Sequence, residues 1–452
     1  MTPTERRASI ALAGIFTLRM LGLFMIFPIF SLDAHLYSGN TPMLTGLAIG
    51  IYGLTQAMFQ IPFGRLSDRI GRKKVIVAGL LIFAAGSAVA ASADSIWGVI
   101  AGRALQGFGA IAAAVLALTA DLTREEQRTK AMAIIGVSIG MAFALAMVAG
   151  PAIKPILGLS GLFWMTGVMA ILGIGVLLYY VPTPDRIRFH RDTEAIPAQF
   201  KQILRNTELL RLDLGILILH LMMTATFVVL PLAFRDYAGF AADDHWKVYL
   251  FVLTLALAFM APLVMYADRH NRIKQVFLVS IFLLLLSQVG LFGFLDNWWL
   301  VVLCMVLYFT GFTVLEASLP SMVSRMAPAE LKGTALGVYS TAQYLGAFLG
   351  GVVGGWLYGN FGITSVFAVC AGLCVIWLLV SAGMRNPLPL STHLLNLGEV
   401  SEQMSGDLTA RLLKIAGVAE AVVVAEDGIA YLKVDRKRLD REALRAFSAT
   451  RA

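Results

Sequence analysis

The chain has 452 residues, of which 58% are hydrophobic and 14% charged, with a formal net charge of +8. A soluble globular protein carries about 25% charged residues, so this composition excludes a fold with an ordinary aqueous surface. The apolar segments approach the ~20 residues that an α-helix needs to cross hydrocarbon, whereas barrels have shorter alternating segments, and we therefore predict a helical membrane protein.

The hydropathy pattern predicts twelve membrane-spanning helices. Their ranges are 8–32, 43–64, 74–92, 96–120, 130–155, 160–181, 212–234, 246–267, 274–295, 297–325, 328–358 and 362–384. The first is too long for the core of a signal peptide and has no clear cleavage site after it, so we expect it to be retained. An even number of spans places both termini on one side of the membrane.

Lysines and arginines in the short loops predict the orientation of the chain. They concentrate in the loops on the side of the termini, and only Lys154, Arg235 and Lys247 lie on the opposite side. We therefore expect both termini to be cytoplasmic. The positive charge on that side suits anionic lipid head groups, and nothing in the pattern indicates nucleic acid.

An internal repeat indicates two homologous halves. When the sequence is shifted by 200 residues, GRLSDRIGRKK at 64–74 aligns with VMYADRHNRIK at 264–274. Parallel six-helix repeats around a central site are typical of transporters. We predict an N-terminal bundle over 1–182, a C-terminal bundle over 212–386, and a linker over 183–211 with an amphipathic helix on the inner leaflet. A partly ordered linker is the alternative.

The segment 387–452 is polar enough to form a small cytoplasmic domain. HLLNL, EAVVVAE and IAYLKV predict strands, and 407–416 and 440–447 predict helices, in the βαββα order of a ferredoxin-like module. The order resembles heavy-metal-associated domains, but GEVSEQMSGD has no Cys or His where that family has its Cys pair. Because soft metals then lack thiolates, we predict a regulatory or docking role, with a protein or small-ligand partner at the basic run 436–438.

Two motifs resemble signatures of the major facilitator superfamily. GRLSDRIGRKK is similar to its signature between the second and third helices, and AGRALQGFGA at 101–110 is similar to its fourth-helix signature around an intramembrane arginine. The resemblance implies the all-α, twelve-helix fold of that superfamily, here with an added α+β domain, in a bacterial inner membrane. It also implies a relay of charges that latches the cytoplasmic side shut.

The residues of this predicted latch are Gly64, Asp68, Arg69, Gly71, Arg72 and Asp121. The two glycines allow helices and a tight loop to approach closely. Asp68 lies at a helix end, where a carboxylate favours the positive N-terminus of a neighbouring helix, and the start of the eleventh span is the natural partner. Arg72 needs an acid, and Asp121 is the nearest by topology. The alternative is that the cations only set the orientation.

Ionisable residues inside the predicted spans mark a central site, because a buried charge in a bilayer is costly unless it is paired or hydrated. Glu316 and His220 can change charge near neutral pH, so we predict that they couple protons to transport. The N-terminal half has no deep carboxylate, so its arginines must meet carbonyls, water, amides or Glu316. The alternative to proton coupling is a static role, in which Glu316 forms a fixed ion pair with an arginine and the other groups form structural hydrogen bonds. The candidate set is Arg19, Arg103, His220, Glu316, Gln56 and Gln60.

These patterns predict a secondary active transporter of small molecules, proton-coupled and of the drug or metabolite antiporter type, with two halves that rock. Gly150-Pro151 resembles part of the superfamily's antiporter signature. The cationic N-terminal half favours an anionic, zwitterionic or neutral amphiphilic substrate. The alternatives are an uncoupled facilitator and a membrane sensor that signals through the C-terminal domain. No nucleophile–base pair, phosphate loop or metal cluster is legible in the sequence, so we expect no enzyme, cofactor or metal site.

Overall fold

A computed structural model describes residues 1–184, 195–196, 199–388, 390–398, 400–425, 428–435 and 438–448. Its long helices follow the predicted spans, and we number them accordingly. They are span 1, Pro3–Phe24; span 2, Pro42–Ile70; span 3, Arg72–Ala91; span 4, Ile96–Phe108 with Ala112–Asp121; spans 5 and 6, Glu125–Tyr180; span 7, Thr207–Asp236; span 8, His245–Arg269; span 9, Ile273–Gly293; span 10, Trp298–Met326; span 11, Lys332–Phe361; and span 12, Ile363–Ala382.

In the described part of the chain, ten helical segments are long and apolar enough to cross a membrane. One of them, Lys130–Tyr180, has 51 residues and is long enough for two crossings at ~20 residues each. It breaks at Gly158, whose φ of 65° and ψ of 179° are non-helical. Span 11 is glycine-rich and falls outside the ten, but it packs between spans 2 and 7. The helical membrane fold is therefore confirmed.

Two predicted spans are interrupted. Span 1 ends at Phe24, and a short helix resumes at Phe30–Asp33, because Pro28 lacks an N–H and disfavours helix in the residue before it. Span 4 breaks between Phe108 and Ala112. Each of these spans is present where it was predicted but is divided into two helical pieces. The second break leaves a backbone carbonyl, at Gly109, without a helical partner inside the bundle, and this carbonyl contributes to the site described below.

The start of span 1 and the end of span 6 lie at one face of the bundle, where Arg7 Nη2 donates to the Tyr179 carbonyl at 3.5 Å. We call this the basic face; it also carries the turn at Gly71 and the C-terminal domain, whereas the far face carries the turn at 34–41. Span 7 lies centrally, since 89% of its most apolar 18-residue stretch is buried inside the protein. Large apolar side chains such as Leu379 and Ile156 are exposed at 72% and 81%, as expected where a helix surface faces lipid.

The linker is helical over Phe200–Ile203 in its described residues. The apolar residues that predicted an amphipathic helix are all described: only Phe200–Ile203 forms a short helix, and Leu210 already belongs to span 7. Residues 185–194 and 197–198 of the linker lie outside the described residues. The described portion is tied to the start of span 11. The Ile196 amide donates to Thr334 Oγ1 at 3.0 Å, and that hydroxyl donates to Gln199 Oε1 at 3.1 Å.

The C-terminal domain has the predicted element order. Strands β1 (Ser391–Asn396), β2 (Val418–Val424) and β3 (Ile429–Val434) form an antiparallel sheet in the order β1-β3-β2, with helices at Glu402–Leu413 and Arg441–Arg445. Lys433 Nζ donates to the Arg325 carbonyl at the end of span 10, at 3.0 Å. Strand β1 also lies against span 10 and the Glu125–Tyr180 helix, so the domain touches both halves. The predicted partner site at 436–438 includes residues outside the described ones.

Candidate functional site

The turn between spans 2 and 3 brings three predicted latch residues together. Gly71 adopts φ 107° and ψ 135°, a conformation that glycine tolerates and other residues avoid. The turn folds Arg72 back beneath span 2, where it is only 2% exposed. Arg72 Nε donates to Asp121 Oδ2 at 3.1 Å, while Nη1 donates to Ser67 Oγ at 2.9 Å and to Asp68.

Two other features of the predicted latch differ from the sequence interpretation. Among the described residues, Asp68 has Arg72 as its polar partner and makes no hydrogen bond to the amides of span 11. Arg69 is exposed and lies outside the Arg72 cluster. Gly64 does make a close approach, since a Cβ there would lie 3.1 Å from Ala113 Cβ in span 4. The cluster thus joins spans 2, 3 and 4 within one half.

The second copy of the motif forms a different pair. Asp268, the counterpart of Asp68, accepts from Arg325 Nη2 at 3.2 Å. Arg272 Nη1 donates to the Tyr266 hydroxyl at 2.9 Å rather than to a carboxylate. Asn271 replaces the turn glycine and has φ 53°, which Asn tolerates better than most residues. The repeat therefore keeps the turn but not the buried arginine.

Replacing Arg72 with alanine is expected to allow insertion but to lower the free energy of unfolding by about 3–5 kcal/mol, because it removes one partner of a buried ion pair. We also expect transport to be lost. Thermal unfolding in detergent and flux in vesicles measure the two effects. The matched control is Arg69→Ala, at an exposed arginine of the same motif, which should change stability by about 0.5 kcal/mol or less. Equal behaviour of the two variants would rule out a special role for Arg72.

Arg19 lies in a cluster of neutral groups at the middle of the N-terminal half. It is 1% exposed, and its Nη2 donates to Gln56 Oε1 at 2.6 Å and to the Gly109 carbonyl at 3.2 Å. Its guanidinium carbon lies 5.7 Å from the centroid of the Tyr52 ring. Arg19 Nε, Arg19 Nη1 and Gln56 Nε2 are buried and have no hydrogen-bond partner among the described residues.

Arg103 packs on the same aromatic ring and is also buried. Its guanidinium carbon is 5.4 Å from the Tyr52 centroid. Nη1 donates to Gln106 Oε1 at 2.7 Å, and Gln106 Nε2 donates in turn to Ser87 Oγ at 2.8 Å. This chain of neutral groups ties span 4 to span 3. Arg103 is therefore held more completely by its own half than Arg19 is.

Glu316 and His220, predicted from separate spans, lie in one cluster with Gln343 of span 11. His220 Nδ1 lies 3.3 Å from the Ile216 carbonyl, so it carries the proton and donates. Nε2 then accepts from Gln343 Nε2 at 2.8 Å, and the same amide donates to Glu316 Oε1 at 3.2 Å. Glu316 Oε2 lies 3.8 Å from His220 Nε2. One bridging amide thus separates an acid from a neutral imidazole.

An aromatic layer between the halves adjoins this cluster towards the far face. The Phe143 ring of span 5 lies 6.2 Å from Phe309 and 5.5 Å from Phe312 of span 10. Phe27 lies 6.0 Å from Phe227 of span 7, and the Phe312 ring lies 6.1 Å from His220. Aromatic pairs contribute about 0.5–1.5 kcal/mol each beyond their buried area, so the layer helps to close the far side.

A glycine seam continues the closure, where spans 2 and 11 meet backbone to backbone. Gly46 and Gly351 each face the carbonyl oxygen of the other. A Cβ on Gly53 would lie 2.5 Å from the Tyr344 carbonyl oxygen, and one on Gly355 would lie 2.5 Å from that of Pro42. A side chain at any of these four glycine positions would meet the backbone of the opposite helix. Small residues are the means by which membrane helices approach closely.

Gln60 has a different place from the one predicted for it. The sequence predicts Gln60 at the central site with Arg19 and Arg103. Its Nε2 instead donates to Thr341 Oγ1 of span 11 at 2.9 Å. The bond crosses between the halves on the basic-face side of the glycine seam. Among the described contacts it therefore links the halves rather than meeting Arg19 or Arg103.

Sequence reasoning missed several residues of the centre. Gln343 and Tyr339 lie one turn apart on span 11, and their i, i+4 spacing could have marked one polar face. Asp213 lies seven residues before His220 on span 7, is 7% exposed and has Oδ2 without a hydrogen-bond partner among described residues. Its position near a span end concealed its burial. Tyr339 lies within electrostatic range of both Asp213 and Glu316.

Known proteins share both the sequence pattern and the arrangement of helices. The sequence model of the Major Facilitator Superfamily matches residues 12–265 and 212–408. The chain is 46% identical over 443 residues to the "Inner membrane transport protein YajR" of Escherichia coli (strain K12), covering 98% of this chain and 97% of the relative. It is 26% identical over 355 residues to the "Multidrug resistance protein MdtH" of Yersinia enterocolitica, covering 75% of this chain and 84% of the relative.

Solved structures also share the fold. A bacterial homologue of the human lysosomal transporter Spinster, solved in an inward-facing and occupied conformation, superposes with a TM-score of 0.71 at 12% identity. The match covers 84% of this chain and 97% of that one. At this identity the likeness concerns the fold alone.

Proposed function

This chain belongs to the major facilitator superfamily, and from that premise we propose that it is a proton-coupled transporter of small molecules in a bacterial inner membrane. Its relatives include proteins named as an inner membrane transport protein and a multidrug resistance protein, which supports the location and a drug or metabolite substrate. Both termini and the C-terminal domain lie in the cytoplasm in this proposal, so the basic face is cytoplasmic and the far face is periplasmic.

The observation that carries proton coupling is the bridged cluster of Glu316, Gln343 and His220. His220 Nε2 uses its lone pair to accept from the Gln343 amide. A proton added to Nε2 cannot coexist with that bond, so the protonated ring would turn to Glu316 Oε2, 3.8 Å away, and release the amide. Because the three groups belong to spans 7, 10 and 11, a single proton changes how these helices are tied together.

Two sets of contacts support alternating access in this proposal: those that close the far side, and those around Asp68 on the basic face. The aromatic layer and the glycine seam close the periplasmic side here, and Asp68 rests on Arg72 rather than on span 11. In the opposite state, Asp68 would reach the amide end of span 11, where a carboxylate is favoured, while the seam would separate. The cluster at Arg72 and Asp121 keeps Asp68 at the surface of the N-terminal half for that contact.

Everted membrane vesicles test this function with a mixture of compounds, so that no single substrate has to be chosen in advance. Vesicles from overexpressing cells and from deletion cells are energised, given a mixture of metabolites and drugs, and analysed by mass spectrometry. A proton antiporter should accumulate at least one compound, and a protonophore should abolish the accumulation. Movement that ignores the protonophore would identify a facilitator, and no movement at all would favour a sensor.

Removal of residues 388–452 is expected to leave transport intact, because the gates and the central cluster lie within the twelve spans. The domain meets the bundle through Lys433 and the Arg325 carbonyl, so Lys433→Met in the full-length chain is the matched control for loss of docking alone. The vesicle assay applied to both variants checks this expectation. Loss of flux on truncation would favour a role in which the C-terminal domain produces the output.

A further inference from the structure

The N-terminal half contains two buried guanidinium groups, and their hydrogen-bond partners among the described residues are neutral. Arg19 bonds to Gln56 and the Gly109 carbonyl, and Arg103 bonds to Gln106 and, at 3.4 Å, to the Ala48 carbonyl. A charge that is buried without a counterion is costly. The question is which of the two arginines is arranged to receive an anion.

The donor pattern distinguishes Arg19 from Arg103. Arg19 has two nitrogens, Nε and Nη1, without a hydrogen-bond partner in the described part of the chain, and Arg103 has Nη2. Nε and Nη1 point to different edges of the guanidinium, so one carboxylate can accept from one of them and, with its second oxygen, from the amide of the neighbouring Gln56. The neighbouring Gln56 Nε2 is a third free donor. The Gln56 Oε1 atom already accepts from Arg19 and from Tyr52 at 3.3 Å, which leaves Nε2 as the free end of the amide.

The position of Arg19 is also suitable for a transported molecule. Gln56 and Tyr52, which contact Arg19, belong to span 2, and span 2 packs directly against span 11, where Gly53 meets the Tyr344 carbonyl. Arg19 therefore lies beside the helix of its half that meets span 11, and span 11 carries Gln343 of the Glu316 cluster. Arg103 is instead tied to span 3 through Gln106 and Ser87.

We propose that Arg19 and Gln56 bind the carboxylate of the transported molecule, so that the substrate is an organic anion. The inference rests on the proposed transport function and narrows its substrate class. Buried donors without acceptors, on a cation without a counterion, favour a ligand that supplies both negative charge and two acceptor oxygens. An amine would face repulsion at this site, and a neutral amide would leave the arginine's charge uncompensated.

An equilibrium binding screen tests this proposal independently of any pH gradient. Full-length protein in nanodiscs is subjected to thermal unfolding with a library of organic carboxylates, together with the amide and the amine of each carbon skeleton. We expect carboxylates to raise the unfolding temperature and their amides and amines not to. Stabilisation by amines or amides, or by no carboxylate in the library, would overturn the proposal.

Variants locate the binding to Arg19. Arg19→Gln should weaken carboxylate binding by at least ~10-fold, the loss expected for a charged hydrogen bond, whereas Arg6→Gln, an exposed position on the same helix, should not. Gln56→Glu supplies an internal carboxylate, so it should raise the ligand-free unfolding temperature and abolish carboxylate binding. If Arg19 were only structural, Arg19→Gln and Gln56→Glu would shift stability and leave carboxylate binding unchanged, and this result would refute the site.

The binding screen and the vesicle assay fail in different ways. If carboxylates bind through Arg19 but their flux ignores a protonophore, the anion site stands and proton coupling is wrong. If flux is proton-coupled but the transported compounds are cations or neutral molecules, the transport function stands and the anion site is wrong.

Discussion

Glu316→Gln is expected to abolish accumulation against a gradient while leaving downhill movement of the substrate. The amide keeps the size of the side chain and can still hydrogen-bond with Gln343, but it cannot exchange a proton. One pH unit corresponds to about 1.4 kcal/mol per proton, or a roughly tenfold accumulation ratio. We therefore expect proteoliposomes with an imposed unit gradient to reach a ratio of up to about ten with wild type and of about one with the variant.

Glu330→Gln is the matched control for this change. Glu330 lies in the short 3-10 helix Ala329–Leu331 just before span 11, outside the central cluster. The Glu330→Gln variant should accumulate substrate to the same ratio as the wild-type protein. Gradient-driven accumulation that persists in Glu316→Gln would show that coupling resides elsewhere, and Asp213 would then be the next group to replace.

Gly46→Val is expected to prevent closure of the far side. The added side chain would enter the space of the Gly351 carbonyl, and neither backbone can move without separating spans 2 and 11. Overpacking costs about 3 kcal/mol, which would reduce the population of the closed state by about 100-fold, at 1.4 kcal/mol for each factor of ten. We expect transport to fall by a similar factor, because each cycle passes through the closed state.

Thiol labelling measures this effect directly. Ser31 is 7% exposed and donates to the Phe227 carbonyl across the halves at 3.4 Å. The Ser31→Cys variant provides a thiol for an impermeant maleimide applied from the far side. This thiol should react slowly when residue 46 is glycine and rapidly when it is valine. Gly136→Val is the control, since a Cβ on Gly136 meets nothing within 4 Å. Continued protection of the thiol in Gly46→Val would contradict the role of the seam.

Much of the fold was predictable because lipid imposes a simple rule on sequence. A spanning helix must be long and apolar, so hydropathy located the spans, and the repeat of Asp68 at Asp268 indicated two halves. The βαββα order of the C-terminal domain followed from alternating strands and turn residues. The interruptions near Pro28 and Gly109 were harder to predict, because a proline or glycine within a membrane helix is often tolerated when neighbours satisfy the backbone.

The sequence identified many residues of the candidate site but not the contacts that these residues make. Glu316 and His220 were selected because ionisable groups are rare inside a bilayer, but no pattern indicated that Gln343 bridges them. Such pairings depend on how spans 7, 10 and 11 pack, and the helices are far apart in sequence. The glycines of span 11 allow a close helix contact, but their spacing does not identify span 2 as the partner. The closed seam is a property of one conformation, which a sequence does not specify.

Distances between spin labels test the central claim, that two halves alternately close the far and basic faces. One pair, at Met43 and Asn360, spans the ends of the seam on the far face, and a second pair, at Arg69 and Arg269, joins the halves on the basic face; all four positions are exposed. The native cysteines are buried and should not compete for label. As pH and substrate are varied, we predict that the far-face distance lengthens whenever the basic-face distance shortens. Distances that stay fixed, or that lengthen and shorten together, would contradict the account.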